Sequence, residues 1–191
     1  SWVYTFRAER FNVGLSRAGQ SSDLAPNAAY LPEVLAVLQG RNPTRFKRLT
    51  SLLSVVFPAI KGISVRPVGN DQVEIVTWTI DPDRERDDLA LPLNESGTGV
   101  GQVLAMLYVA LNAAHPRVIL IDEPNSFLHP GAVRKLFEIL KHNGAQHQFI
   151  VTTHSPAVLN ASDPSTLLRL RMDDGESIIE RLDVAAAKDL Q

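Results

Sequence analysis

Three clusters of residues in this 191-residue chain have the types and spacing that chemistry requires. The first is Asp122-Glu123, which ends the apolar run Val118-Ile119-Leu120-Ile121 and precedes Pro124. Two carboxylates at the rim of an apolar core need a cation or hydrogen-bond donors to offset their desolvation. A magnesium-bound phosphate supplies both. In that setting Asp122 would hold Mg2+, directly or through water, and Glu123 would orient and deprotonate the water that attacks a terminal phosphate. The second cluster is Asn94-Glu95-Ser96-Gly97-Thr98-Gly99-Val100-Gly101-Gln102, whose alternating glycines let backbone N–H groups approach phosphate oxygens at a helix N-terminus. The third is Thr152-Thr153-His154-Ser155-Pro156, where a histidine after an apolar run could touch a γ-phosphate and the attacking water. Each cluster also has a plainer reading: acids that cap the next segment, a tight turn that caps a helix, and a histidine satisfied by local backbone groups. Of the other four histidines, those at 115, 142 and 147 sit beside turn residues and invite no role.

The elements around these clusters must place them together. Val118–Ile121 reads as a strand buried on both faces, Ala132–Lys141 as an amphipathic helix closed by Asn143-Gly144, and Phe149–Thr153 as a second buried strand. Strand, helix and strand in that order form a βαβ unit with parallel strands. Ligands of parallel sheets collect beyond the carboxyl ends of the strands, where Asp122-Glu123 and His154 both fall. Val103–Ala114 is apolar on nearly every face, too short to span a bilayer and suited to a buried helix.

The first half is less legible. Val3–Phe6 has strand character and is entered without a cap or turn, as the middle of a domain would be. Gly14–Asn27 lacks apolar period and reads as a loop or a mobile insertion. Tyr30–Leu38 and Arg45–Phe57 carry apolar residues at helical spacing, and Ile63–Val68 with Val73–Ile80 alternates around Gly69-Asn70-Asp71 as a hairpin. Asp81–Asp88 is a polar break, and Leu167–Leu170 with Ser177–Leu182 forms a closing hairpin.

Composition narrows the class further. With 45% hydrophobic and 21% charged residues, the chain is neither disordered nor collagenous nor a coiled coil. Zero cysteines remove disulfides, thiolate metal sites and a cysteine nucleophile, and make a cytoplasmic address the default. The net charge of −2 hides an asymmetry: residues 1–70 hold nine of the 19 Lys/Arg and three of the 21 Asp/Glu. Within that basic half, Arg41, Arg45, Lys47 and Arg48 either meet the phosphates of a nucleotide or nucleic acid, or form a solvated helix face.

Read in order, SGTGVGQ, VILIDEPNSFLHP and FIVTTHSP resemble the ABC-type ATPases of the P-loop class, in the soluble branch that includes the SMC and overcoming-lysogenisation-defect ATPases. The resemblance is specific over residues 91–159 and general in layout before them. It implies an α/β fold: a P-loop NTPase core of ABC type, with a mainly parallel sheet, flanking helices and a helical and β-hairpin insertion. It implies ATP and Mg2+ as cofactors. Ser96, Gly97, Gly99, Gly101 and Gln102 then fall on the signature loop, which touches the nucleotide held by a second subunit. Asp122 matches the magnesium acid, Glu123 the catalytic glutamate and His154 the switch histidine, while residues 125–130 match the segment where subunits face each other. Arg10 corresponds only weakly to a basic residue near the nucleotide and is not counted among them. The resemblance implies a homodimer around ATP, powering a DNA-repair or phage-defence system with DNA, RNA or a nuclease effector as partner and no membrane.

One departure matters. No GxxxxGK[ST] string occurs, and the only lysine beside a glycine, Lys61 before Gly62, stands in the wrong order. Residues 1–191 are therefore expected to be the C-terminal part of one ATPase domain, about 1–90 helical and hairpin and about 91–191 the motif-bearing core, inactive in isolation. The competing expectation, of a different class, is a non-catalytic assembly module on a degenerate or truncated ATPase fold.

Overall fold

The computed structural model describes residues 2–7, 14–82 and 86–183. Arg10 and part of the polar break, residues 83–85, lie outside the described residues. Three strands run parallel. β1 (Val3–Phe6), β6 (Val118–Asp122) and β7 (Gln148–Thr152) form a sheet in the order β1-β6-β7, all parallel, with Val3 opposite Val118 and Asp122 opposite Thr152. The expected βαβ unit is present as β6, α4 (Pro130–Asn143) and β7.

A second, antiparallel sheet holds β2 (Leu15–Arg17), β4 (Gln72–Trp78) and β3 (Gly62–Gly69), with β5 (Ala90–Pro92) paired to β4 beyond this path. The β3–β4 hairpin turns through Asn70 and Asp71, both at positive φ, which short polar side chains tolerate. The closing hairpin of β8 (Leu167–Asp173) and β9 (Glu176–Leu182) forms a sheet of its own. The α/β fold with a parallel core is thus as expected, and antiparallel strands make up more of it than the phrase "mainly parallel" implies.

The helices pack on the antiparallel sheet and on one another. α1 (Leu31–Arg41) buries Leu31, Val34, Leu35 and Leu38, and α2 (Pro43–Val56) buries Phe46, Leu49, Leu53 and Val56, the spacing of one helical face in each case. The Gln39 amide fastens α1 to the sheet by bonding both backbone groups of Val65 on β3. α3 (Thr98–Asn112) is buried on every side between Gly99 and Ala110, which explains its lack of a polar face.

Two expectations are corrected. The segment 14–27, expected as a loop or a mobile insertion, is irregular after β2 but anchored: it buries Leu24 and supplies carbonyls from Ser22 and Leu24 to the hydroxyls of Tyr108 and Tyr4. Its apolar residues are too sparse to show a period, so side chains contributed from elsewhere hold it. β7 is not buried on both faces. Its residues alternate between exposed and half-buried, and Ile150, 45% exposed, shares a sheet face with half-buried Leu120 of β6, so that face is the less covered one.

Candidate functional site

The site is assembled where β6 and β7 end. The parallel register sets Asp122 opposite Thr152, so the residue that follows each strand also falls side by side. Thr152 Oγ1 donates to Asp122 Oδ1. Glu123 then leaves the strand in the left-handed region, φ +47° and ψ +62°, a conformation that costs a non-glycine residue about 1 kcal/mol or more. Its backbone N–H still pairs with the Thr152 carbonyl at 3.0 Å. This turn, made just before Pro124, swings the carboxylate onto the end of β7.

There Glu123 meets three donors. The His154 backbone N–H reaches Oε1 at 3.1 Å, and the His154 imidazole Nδ1 lies 2.7 Å from the same oxygen. Thr153 Oγ1 lies 3.2 Å from Oε2 and an equal distance from Asn125 Oδ1. The carboxylate is 26% exposed and the imidazole 81% exposed, so the pair is open to a ligand from solvent. Asp122, Glu123 and His154, which sequence reasoning placed together beyond the carboxyl ends of the two strands, are brought together by the fold. Thr152, Thr153 and Asn125 were not singled out individually, although a parallel register between the two runs would have set the threonines beside the acids.

The glycine-bearing segment has a different form from the loop that was expected. Ser96 ends a 3-10 turn, held by Thr77 Oγ1 and donating to the Pro92 carbonyl. Gly97 takes φ +100° as the N-cap of α3, a conformation that suits glycine. From Thr98 onward the residues are helical, so Gly99, Gly101 and Gln102 lie in the first turns of α3 and are buried. Gln102 is 1% exposed, and its amide donates to the Arg7 carbonyl at 2.9 Å, just beyond β1. Gly99 is required for close approach: a Cβ there would collide with the Phe127 carbonyl oxygen and press on Leu128. The N-terminus of α3 therefore backs directly onto the segment 124–129 that leads from Glu123 to α4, and this segment links the two clusters. At its far end His129 caps α4 by accepting from the Gly131 N–H.

The donor set fits a nucleotide with its magnesium. Mg2+ is commonly held through one or two carboxylates plus waters and phosphate oxygens, and Asp122 at a strand terminus offers one exposed carboxylate of that kind. No group of three or more His, Asp or Glu gathers into a protein-only metal cage among the described residues.

A family model described as "AAA domain, putative AbiEii toxin, Type IV TA system" matches residues 45–160. Among characterised proteins, the phosphate import ATP-binding protein PstB of Thermotoga maritima is 32% identical over 71 residues, covering 36% of this chain and 28% of that protein. Septu protein PtuA of Bacillus thuringiensis is 36% identical over 64 residues, covering 34% of this chain and 16% of that protein. The chain thus spans less than a third of the length of either relative. In overall shape it is similar to an SMC ATPase studied for ATP-driven dimerization and DNA-stimulated activation, with a TM-score of 0.57 at 15% identity, covering 82% of this chain and 94% of the other. The Smc head domain of Pyrococcus yayanosii gives a TM-score of 0.60 at 16% identity over 81% of this chain and 29% of that one. These structural likenesses establish a shared ATPase-head fold.

Proposed function

This chain belongs to that AAA-domain family of ABC- and SMC-like P-loop ATPases, and from this premise we propose that it forms the hydrolytic half of an ATP site shared between two copies. The observation that carries the reading is the meeting of Asp122, Glu123 and His154 beyond the carboxyl ends of β6 and β7. When bound, Mg·ATP supplies the phosphoanhydride and neutralises its charge. Asp122 is the magnesium ligand. Glu123, already braced by its neighbours, orients a water and takes its proton. His154 stands exposed on the approach, positioned to bond the terminal phosphate once it exchanges its contact with Glu123.

Of the signature residues, Ser96 and Gly97 serve the nucleotide of the second copy, and the buried Gly99, Gly101 and Gln102 support them from within α3. Gly97 and Ser96 present the surface, while the buried Gln102 fixes the start of α3. The phosphate-gripping loop comes from a segment outside these 191 residues, so residues 1–191 act as one part of a larger ATPase domain. The open outer edge of β7 supports this placement, since a further parallel strand there would deliver its following loop to the same end of the sheet. The outer edge of β1, by contrast, is engaged by Pro26 through the Thr5 N–H.

A polyanionic partner is favoured by a separate observation. Residues 34–70 contain six Lys/Arg and no Asp or Glu, and Arg41, Arg45, Lys47 and Arg48 are all exposed. α2 packs beside α4, where Arg48 Nη2 reaches Asn143 Oδ1 at 2.6 Å. Such a strip suits nucleic-acid phosphates. Its contribution is read from the salt dependence of duplex binding, which Arg45→Glu with Lys47→Glu would flatten; an unchanged slope counts against it. A repair or phage-defence role, with a nuclease effector, remains the setting this machinery fits.

The deciding experiment uses the full-length protein. Glu123→Gln should keep ATP binding, abolish hydrolysis and accumulate the ATP-bound dimer in sedimentation. Hydrolysis at the parent rate would overturn the assignment, and no ATP-dependent association in either protein would favour a non-catalytic assembly module.

A further inference from the structure

Each of the two carboxylates faces a threonine hydroxyl, and the reading above gives the threonines no part. The strand register explains the pairing: Asp122 lies opposite Thr152, and one residue further along, Glu123 lies beside Thr153. Thr153 is the more connected of the two. Its oxygen accepts the Ser155 backbone N–H at 3.0 Å and lies 3.2 Å from both Glu123 Oε2 and Asn125 Oδ1. A hydroxyl has two lone pairs and only one proton. The Ser155 amide occupies one lone pair and pins the oxygen, leaving the proton to go either to the carboxylate or to the Asn125 amide oxygen. The carboxylate, being charged, is the stronger acceptor.

The geometry points to Thr153 as the positioning residue of the proposed base. Ionised Glu123 has roughly four acceptor sites. The His154 N–H and imidazole take two on Oε1, and the Thr153 hydroxyl takes one on Oε2, so one is left for a water. Without the hydroxyl, Oε2 is released and the remaining lone pair no longer has a fixed direction. Asn125 Oδ1, at the start of the segment that backs onto α3, competes with Glu123 for that one proton. A contact that captures Asn125 therefore alters how firmly the base is held.

This inference rests on Glu123 acting as the base, and the test keeps the two apart. In the full-length protein, Thr153→Val preserves β-branched shape but removes the donor; it should lower kcat for ATP hydrolysis about tenfold to a hundredfold while leaving KM for ATP within about threefold. Thr153→Ser, which keeps the hydroxyl, should recover kcat to within about threefold of the parent. Amide exchange at Ser155 should speed up in the valine variant and not in the serine variant. A parent-like kcat for Thr153→Val, a serine variant as impaired as the valine one, or unchanged Ser155 protection in Thr153→Val would each overturn the role of Thr153. If Glu123→Gln abolishes turnover while Thr153→Val does not, the base stands and only the positioning role falls. If Glu123→Gln hydrolyses ATP at the parent rate, the assignment of the base itself is wrong.

Discussion

The two ends of the parallel sheet use similar residue types in opposite ways. At the carboxyl end, Asp122, Glu123, Thr152, Thr153 and His154 bond mainly to one another through side chains, and His154 is 81% exposed. At the amino end, Tyr4, Tyr108 and His147 are buried and bond to backbone groups: Tyr4 to the Leu24 carbonyl, Tyr108 to the Ser22 carbonyl, and His147 Nδ1 to the Arg117 N–H. Burial, with the Asp23 charge nearby, pushes the Tyr108 hydroxyl up to about 12. Burial also holds the His147 imidazole below its ordinary range, with the Arg117 cation adding to the effect against the pull of the Ala110 carbonyl. A buried polar group whose partners are mainly backbone is committed to the fold. One whose partners are exchangeable side chains, open to water, is available to a ligand.

That contrast can be broken in order of expected effect. Glu123→Gln is the largest: turnover should fall by about 100-fold or more, while the thermal midpoint barely moves, because a partly exposed pair adds little stability. A large drop in stability with turnover intact would place Glu123 on the structural side. Thr153→Val comes next, with its loss confined to kcat. Gly99→Ala sharpens the boundary between the two kinds of site. The new Cβ must displace the Phe127 carbonyl, and urea unfolding should show a loss of about 1–3 kcal/mol. No loss would mean that the segment 124–129 yields easily.

The smallest effect belongs to His147. Its folded-state pKa lies below the unfolded one, so the unfolded chain takes up a proton first as pH falls. The stability it contributes is fully present above the unfolded value of 6.5 and is lost as pH drops toward the folded pKa. His147→Asn, which keeps an acceptor for the Arg117 N–H, should flatten the thermal midpoint against pH between about 7.5 and 5. A slope equal to the parent's would assign the acid sensitivity to other groups.

Sequence periodicity located the helices well. The faces of α1 and α2 were read from spacing, because the 3.6-residue repeat is a local property. Abrupt acids after Ile121 and the histidine after Thr153 marked the site, since ionisable groups at the end of an apolar run need an explanation on their own. The glycine segment was misjudged in form. Gly99 and Gly101 are helix residues, and the reason for Gly99 is a carbonyl 28 positions away in the chain, which no local pattern reveals. Gln102 likewise turned inward to a carbonyl just beyond the opening strand. The mobility expected at 14–27 failed for the same cause: the two tyrosines that bind it come from β1 and α3.

By itself, then, the sequence determined which groups are chemically exceptional and which segments repeat with the period of a helix or a strand, because both follow from neighbours in the chain. Only the tertiary structure decided which of those groups meet. The parallel register of β6 and β7 placed a threonine against each acid, and the left-handed turn at Glu123 carried its carboxylate to His154. Burial separated His147 from His154, two residues of one type only seven positions apart. Register and burial are set by packing between distant segments, and that packing is a property of the whole fold rather than of any window of sequence.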